Sequence, residues 1–398
     1  MMNDNIVKYL FYFYFPLTIF EFALVGPLGS ILKYYGIFII SIWLMIRLID
    51  RKKIINDSSI VLFGLWLVIS FISILWSSDM DIGIYYFFAA ANMITISWVV
   101  LNLDWQDKEV NVVLLLMEVS GALFCLLMIA KRDLYHGVGI RYTLELFGAE
   151  IDPNNIAGLI VPSSLAALDS VLRKRHAIVH LGAFFLTIIG IIMAGSRGGV
   201  LALLAGLITY IMMTLMNKDG RQEESNGLRL KGIWRARSFL IIVIFALAID
   251  LLTRYINSNF DEQLLRRLSL TSLFNNADNG SGRLDIWQLG LNLYKNNIFF
   301  GLGWGGFGGM TGRGVHNQYL RILIETGPIA LMFFLGANIG IIKKLFKSKS
   351  SLGISIMISM LTVIFFLDAF QKKYMWNPIV LSLMFIRRNH YNYEKVQL

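Results

Sequence analysis

Long apolar runs separated by short polar segments occupy almost the whole chain. A helix needs about 20 mostly apolar residues to cross the roughly 30 Å hydrocarbon core of a bilayer. Twelve runs approach that length, so the pattern predicts an all-α polytopic membrane protein with about 12 transmembrane helices. The runs lie near residues 7–25, 34–49, 59–76, 82–103, 110–130, 156–172, 177–195, 199–216, 239–252, 327–342, 352–370 and 375–386.

Lysine and arginine collect in alternate connections between these runs. Short loops rich in Lys and Arg mark the cytoplasmic side of a membrane, so both termini are predicted to be cytoplasmic. The basic segments read RLIDRKK, RKRH, NKDGRQEESNGLRLKGIWRARS and KKLFKSK, followed by the tail RRNHYNYEKVQL. The first apolar run lacks the pattern of a cleaved signal peptide and is expected to be a retained helix.

Two polar segments then face outward, a short one at 131–155 and a long one at 253–325. The longer segment combines glycines with amphipathic pieces, which is typical of a folded, mostly helical cap rather than a linker. Its connections to the flanking helices are very short. Residues 1–398 are therefore predicted to form a single domain, with 253–325 as a cap loop on the outer face.

Composition agrees with a membrane protein. The chain has 398 residues, of which 56% are hydrophobic and 16% are charged, whereas soluble domains are about 25% charged. The net charge of +10 would suggest a nucleic-acid partner in a soluble protein. Here much of it is an orientation signal, and no nucleic acid is expected. The single cysteine, Cys125, cannot form an internal disulfide.

Arg197 interrupts the apolar stretch 177–216, within the segment IMAGSRGGVLALL. An arginine at the bilayer centre costs roughly 2.5–3.5 kcal/mol on insertion scales. The predicted topology instead makes GSRGG the outward turn of a helical hairpin, because glycine tolerates tight turns. Exposed backbone N–H groups at such a turn can bind an anion. The alternative is a snorkelling arginine that only anchors the hairpin.

The outer side holds more arginines than the positive-inside bias would allow. Arginine grips phosphate oxygens through a planar fork, so an outward cationic pocket suits a lipid-linked phosphate or pyrophosphate. The alternative is that some arginines pair with local acids such as Asp261, Glu262 and Asp285. The outer arginines are Arg141, Arg197, Arg254, Arg266, Arg267, Arg283, Arg313 and Arg321.

Two short motifs in the long outer segment carry candidate chemistry. In GSGRLDIW, Arg283 opens a segment whose apolar spacing predicts an amphipathic helix. In HNQYLRILIETG, His316 is the side chain best suited to move a proton near neutral pH. Glu325 is either a substrate-binding group or the i,i+4 partner of Arg321.

Three further motifs have simpler interpretations. Asp152 and Asn154 of EIDPNN can contact sugar, although a cap on the helix that follows is the favoured reading for Asp152. GLGWGG fits a dinucleotide fingerprint literally but lacks its βαβ setting, so it is interpreted as a close-packing turn. DMD at 79–81 is weak support for a metal, and no metal or cofactor is expected.

Five motifs in this order resemble those of the O-antigen ligase and polymerase superfamily. They are DPNNIAGL, GSRGG, SGRLDIW, FFGLGWGGFGG and HNQYLRILIETG. The resemblance implies a metal-independent glycosyltransferase of the GT-C kind. Its donor would be a glycan on undecaprenyl pyrophosphate, used at the outer face of the bacterial inner membrane. It also implies that Arg197 and Arg283 hold the pyrophosphate and that His316 acts at the acceptor hydroxyl. Further contacts with substrate are expected from Arg141, Arg254, Arg313, Arg321, Glu325, Asp152 and Asn154.

The superfamily contains polymerases, which join lipid-linked repeat units, and ligases, which transfer the finished glycan to lipid A core. The polymerase is favoured because the first outer loop carries Arg141 and the composition is rich in Ile, Lys and Asn. A chain-length regulator protein is a further candidate partner, beside the lipid bilayer itself. A flippase for lipid-linked oligosaccharide is the third alternative, disfavoured because internal repeats and broken midplane helices are not visible.

Overall fold

The computed structural model describes residues 4–26, 29–136, 141–173, 177–219, 264, 282–369 and 371–397. Every predicted apolar run except the one near 239–252 falls on a helix within these ranges. That run, and the predicted substrate contact Arg254, lie outside the described residues. So do Arg266 and Arg267.

Helices dominate the described part of the chain. They are α1 (Asn5–Ile19), α2 (Ile31–Asp50), α3 (Ser58–Ser73), α4 (Met80–Leu101), α5 (Asp107–Lys131), α6 (Pro153–Leu172), α7 (Ala177–Met193), α8 (Arg197–Asp219), α9 (Arg283–Tyr294), α10 (Gly306–Thr311), α11 (Gln318–Lys347), α12 (Ser351–Val363) and α13 (Asn377–Gln397). Seven of them, α2 to α6, α8 and α11, are long and apolar enough to cross a membrane, with α3 counted through Trp76. The fold is that of a multi-pass, all-α membrane protein.

Strands occur only as three short antiparallel hairpins among the described residues. β1 (Val25–Gly26) pairs with β2 (Gly29–Ser30) between α1 and α2. β3 (Asp133–Leu134) pairs with β4 (Tyr142–Thr143), and β5 (Glu145–Leu146) pairs with β6 (Ala149–Glu150). The last two hairpins lie within the predicted short outer segment, and β4 contacts α6.

Side-chain caps fix where several helices begin. The side chains of Asp57, Asp79, Asp152 and Asn317 each accept a hydrogen bond from a backbone N–H in the first turn that follows. Such a cap satisfies a donor that the helix itself leaves open. Because Asp79 caps α4, its carboxylate has a structural role in the DMD segment.

An aromatic cluster ties the helices together near the candidate site. Trp66 of α3 lies 5.6 Å from the ring of Trp304 and 5.6 Å from that of Phe334. The ring of Trp376 lies 6.4 Å from the ring of Trp66. All four rings are buried, so α3, α11, the loop before α10 and the loop before α13 share one apolar core.

Basic side chains gather at one end of the helices. There Lys8 of α1 binds Glu109 at 3.0 Å and Arg387 of α13 binds Asp104 at 2.6 Å. Lys344 near the end of α11 pairs with Asp57, the cap of α3. The described parts of the connecting loops, 132–136, 141–152, 194–196, 364–369 and 371–376, lie at the opposite end, as do the starts of α9 and α11.

α11 starts earlier than the apolar run 327–342 predicts, because the polar segment from Gln318 is already helical. Gly327 breaks its regular geometry, with φ +83° and ψ 176°, and Pro328 follows. A Cβ at Gly327 would lie 2.2 Å from the carbonyl oxygen of Phe299, so only glycine fits there. The break divides α11 into a short part, 318–326, and a longer part, 328–347; we call them the outer part and the membrane part, after the sides that the sequence predicts for them.

Candidate functional site

The predicted hairpin turn around Arg197 is present. α7 ends at Met193, Gly195 adopts φ +59°, and α8 begins at Arg197. The hydroxyl of Ser196 accepts the Gly199 N–H at 3.3 Å, which caps the start of α8. Arg197 therefore stands at a helix N-terminus, where the helix dipole and open N–H groups favour an anion.

Arg141 packs directly on this turn although it comes from the loop before α6. A Cβ at Gly195 would lie 3.1 Å from Cγ of Arg141 and 3.5 Å from its Cδ, so a side chain at position 195 would crowd the arginine stem. The Arg141 guanidinium lies 4.9 Å from the ring centroid of Tyr135. Arg141 is only 6% exposed, and no described residue accepts a hydrogen bond from its Nε.

Arg283 is the third member of the group. It opens α9 after Gly282, which takes φ +72°. Burial lowers the pKa of Arg283, and the positive charges of Arg197 and Arg141 lower it further, whereas Asp152 and Asp368 raise it. We call Arg141, Arg197 and Arg283 the arginine cluster. Its three cations come from three separate parts of the chain and lie within electrostatic range of one another.

Asp152 borders the arginine cluster at the start of α6. One carboxylate oxygen accepts the Asn154 N–H at 2.7 Å, and the other accepts the hydroxyl of Tyr135 at 3.3 Å. Burial raises the pKa of Tyr135, and Asp152 raises it further. The helix-cap interpretation of Asp152 is therefore correct. A sugar contact by Asp152 or Asn154 stays a prediction.

His316 contacts an acid that the sequence analysis missed, Asp368, which lies within electrostatic range of Arg283. His316 adopts φ +54°, and its backbone N–H donates to Oδ2 of Asp368 at 2.9 Å. A Cβ at Gly314 would lie 2.7 Å from the same oxygen and 3.7 Å from Nε2 of His316. No described residue donates to the buried Oδ1 of Asp368. The histidine side chain itself is exposed.

Asp368 could have been found from the sequence. It is the only charged residue in the predicted span 352–370. An ionisable residue inside a predicted span is a functional candidate by default. In the structure, α12 already ends at Val363, so Asp368 lies in the loop that follows it. The span predicted from the sequence therefore extends beyond the end of α12, and it includes a polar loop residue in an apolar run.

Arg321 and Glu325 form a buried ion pair rather than an open binding surface. Nε of Arg321 donates to Oε2 of Glu325 at 3.1 Å, and the residues are 6% and 1% exposed. The Arg321 guanidinium lies 4.3 Å from the ring centroid of Tyr86. The same Glu325 oxygen accepts the backbone N–H of Gly305 at 3.2 Å. This geometry is the i,i+4 pair given above as the alternative for Glu325.

The glycine-rich turn 301–306 packs closely against two elements. A Cβ at Gly303, which has φ +85°, would lie 2.5 Å from Cα of Ser77. A Cβ at Gly301 would lie 2.5 Å from the backbone carbon of Glu325. The turn therefore lies between the α3–α4 connection and α11, as a close-packing turn should.

Arg313 is exposed, and its backbone N–H donates to the hydroxyl of Thr311 at 3.2 Å. Its expected contact with substrate stays a prediction. Among the described residues, no group of three or more His, Cys, Asp and Glu side chains could hold a metal ion.

Residues 182–335 match the family described as O-antigen ligase. The match covers the GSRGG turn, Arg283, His316, and the Arg321–Glu325 pair. It confirms the resemblance to the O-antigen ligase and polymerase superfamily over this part of the chain. No curated protein matches the chain significantly. Together, the apolar helices and the family match indicate a multi-pass membrane protein with an O-antigen ligase or polymerase type of function.

Proposed function

We propose that the protein polymerises oligosaccharide repeat units linked to undecaprenyl pyrophosphate into an O-antigen or capsule-type polysaccharide. The reaction takes place at the outer face of the bacterial inner membrane, where the end of the bundle that carries the arginine cluster lies. Both termini and the basic end of the helices are then cytoplasmic.

The arginine cluster is the observation that carries this proposal. Arg141, Arg197 and Arg283 place three positive charges within electrostatic range of one another, at the N-termini of α8 and α9 and on Tyr135. Like charges gathered in a partly buried place repel, and Asp152 and Asp368 offset this repulsion only in part, because the pKa of Arg283 stays lowered, so a bound anion is favoured. A pyrophosphate carries the charge, and its oxygens suit the guanidinium fork. Guanidinium groups then stabilise the leaving group in the role that a metal has in other transferases.

The chemistry is a displacement at the anomeric carbon of the donor. His316 accepts the proton of an acceptor hydroxyl as that oxygen attacks the carbon. The bond from carbon to the pyrophosphate oxygen breaks with inversion, and undecaprenyl pyrophosphate leaves with its charge on the arginine cluster. Asp368 holds the backbone of His316 through the Oδ2 contact, which orients the histidine towards the acceptor.

A ligase is the second candidate, and the family description favours it. Both reactions use the same donor and the same arginines, so they differ only in the acceptor. A polymerase accepts another lipid-linked repeat unit, whereas a ligase accepts lipid A core. The arginine cluster therefore does not separate the two reactions, and the polymerase is placed first on the length of the loop 131–155 and on the composition rich in Ile, Lys and Asn.

A flippase has less support. The break in α11 at Gly327 is the one feature that fits it, since transporters use broken helices near the bilayer midplane. However, the break lies in the outer third of α11, against Phe299 of the outer loop. Activity of the purified protein in detergent, where nothing has to cross a bilayer, separates an enzyme from a flippase.

Deletion of the gene in its native host tests the proposal. The readouts are a gel of surface glycan and analysis of the lipid-linked pool. A polymerase predicts loss of the ladder, with single repeat units still reaching their final carrier. Loss of all attached glycan, with long polymer on undecaprenyl pyrophosphate, would instead show a ligase. Complementation with wild type and with Arg197→Lys assigns the effect to the arginine cluster, and Arg132→Lys is the matched control, because Arg132 is an exposed arginine of the loop that carries Arg141.

A further inference from the structure

The buried pair of Arg321 and Glu325 needs a physical reason. Taking two charges out of water costs several kcal/mol per ion, and an apolar pair of similar volume is often as stable or more stable. The pair is 6% and 1% exposed. It also lies away from the open face of the site, so a direct hold on substrate does not explain it.

The pair connects three elements that are distant in the sequence. The guanidinium stacks on Tyr86 of α4 at 4.3 Å. The carboxylate binds Arg321 at 3.1 Å and also the N–H of Gly305 in the glycine-rich turn at 3.2 Å. An apolar pair could fill the same space, but it could not bind the Gly305 N–H.

The segment that the pair holds is the outer part of α11, 318–326. Gly327 breaks the helix directly behind it, so the membrane part of α11 does not fix its orientation by continuous helical hydrogen bonding. Glu325 lies at the base of this short segment and Arg321 one turn above. The pair therefore supplies the anchorage that the broken helix lacks.

The same segment carries the candidate catalytic groups. His316 and the cap Asn317 stand at its start. The side chain of Gln318 accepts the Ala369 N–H at 2.6 Å, and the Gln318 N–H donates to the carbonyl of Ile364. The outer part of α11 thus also holds the loop 364–369 that presents Asp368. A shift of this segment would move His316 and Asp368 together, relative to the arginine cluster.

We propose that Arg321 and Glu325 are a positioning pair, which locks the outer part of α11 to α4 and the glycine-rich turn so that His316 and Asp368 keep their place relative to the arginine cluster. This inference rests on the function proposed above. It replaces the expected substrate-binding role of the two residues with an indirect one.

The double variant Arg321→Met/Glu325→Leu tests this role. Single variants would leave one charge buried alone and can fail to fold, whereas removing both charges is often neutral for stability. A misplacement of about 1 Å can cost about 100-fold in rate, so kcat should fall between about tenfold and 100-fold. KM for the undecaprenyl-pyrophosphate-linked donor should stay unchanged, because the arginine cluster is intact. Normal folding is checked by the thermal unfolding midpoint in detergent.

A matched control is the i,i+4 pair of Asp169 and Arg173, in which Nε and Oδ2 are 2.6 Å apart. It lies at the far end of α6, so Arg173→Met/Asp169→Leu should keep normal kcat. A folded Arg321→Met/Glu325→Leu variant with unchanged kcat would overturn the proposal. A raised donor KM with unchanged kcat would also overturn it, because that result shows substrate binding.

A second readout does not depend on turnover. Cysteines at Gly198, in the turn that bears Arg197, and at Phe366, in the loop that holds Asp368, should form a disulfide, since a Cβ at 198 would lie 2.9 Å from Cβ of Phe366. The native Cys125 is buried and does not compete. Adding Arg321→Met and Glu325→Leu should slow the formation of this disulfide severalfold. An unchanged rate would contradict the positioning role. If wild type makes no glycan but the disulfide slows, the proposed function fails while the positioning role stands.

Discussion

Arg283 and Arg197 lie close enough for their like charges to repel, although they open different helices far apart in the sequence. Burial lowers the pKa of Arg283 first, and Arg197 is the next largest cause. Such an arrangement is unfavourable in an empty site. It becomes favourable when a dianionic group lies between the two guanidinium groups. The proposed function requires that this group is the pyrophosphate of the donor.

Replacing Arg197 or Arg283 with lysine keeps the charge and removes the planar fork. A hydrogen bond to a charged group is worth about 1.5–3 kcal/mol, so the rate of glycosyl transfer should fall by about 10- to 100-fold. Initial rates with a defined lipid-linked donor measure this. Arg132→Lys is the control and should keep wild-type rates. Wild-type rates in both Arg197→Lys and Arg283→Lys would remove the arginine cluster from the mechanism.

Arg283→Met should raise the thermal stability of the empty protein. The pKa of Arg283 is lower in the folded protein than in the unfolded chain. The charged form of Arg283 therefore destabilises the folded state relative to the unfolded chain. The cost is present at every pH below the lowered pKa and disappears only in strong alkali, because arginine stays charged far above neutral pH. Stability near neutrality should therefore carry this penalty without depending on pH through Arg283.

Undecaprenyl pyrophosphate should offset the same penalty when it binds. At 100 times its Kd, a ligand stabilises the folded state by about 2.7 kcal/mol. Wild type should show a clear rise in unfolding temperature with the added lipid, and Arg283→Met little or none. Equal ligand-induced shifts in the two proteins would contradict a pyrophosphate site at Arg283.

The sequence predicted the described helices well because long apolar runs are stable as helices in a bilayer. It also marked Arg197, Arg283 and His316 as candidates, since each stands in a short motif with its own local signal. The contact between Arg141 and Gly195 could not be predicted from the sequence, because no local pattern in either of these two separated loops indicates that the loops meet. Asp368 was missed for a different reason: an apolar run was extended past the true end of α12. Arg321 and Glu325 were seen as a pair, but their burial depends on Tyr86 and Gly305, which come from other elements.

Asp368 offers a pair of variants that separate charge from hydrogen bonding. Asp368→Asn keeps an oxygen that can accept the His316 N–H, whereas Asp368→Ala loses it. If the contact orients His316, Asp368→Ala should lose more kcat than Asp368→Asn, by about tenfold for a hydrogen bond of about 1.4 kcal/mol. Steady-state kinetics of the two variants decide this. Equal losses would indicate that the charge of Asp368, not its hold on His316, matters.

Gly195→Ala tests the contact between the GSRGG turn and Arg141. A Cβ there would lie 2.8 Å from Cδ1 of Leu264 and 3.1 Å from Cγ of Arg141, which must move. The left-handed backbone adds strain of about 1 kcal/mol. Gly148→Ala is the matched control, because Gly148 has φ +75° with no atom within 4 Å of the added Cβ. Both variants should lose stability through backbone strain, and Gly195→Ala should lose more because of its two close contacts, but only Gly195→Ala should also raise the donor KM.

Labelling of single cysteines tests the proposed orientation. Phe147 is 93% exposed at the tip of the β5–β6 hairpin, and Lys53 is exposed between α2 and α3 at the basic end. A membrane-impermeant thiol reagent applied to cells with a permeabilised outer envelope should label Phe147→Cys but not Lys53→Cys. Wild type, whose Cys125 is buried, is the blank. Labelling of Lys53→Cys alone would show that the topology is the reverse of the proposed one.

The most direct test of the account uses purified protein in detergent with a single lipid-linked repeat unit as both donor and acceptor. We expect a ladder of products, with one undecaprenyl pyrophosphate released for each new glycosidic bond, and both should form about 10- to 100-fold more slowly in Arg197→Lys and Arg283→Lys. A ladder that is unchanged in the two arginine variants would contradict the role of the arginine cluster. No ladder from the wild-type protein, together with transfer of preformed polymer to lipid A core, would replace the polymerase with a ligase.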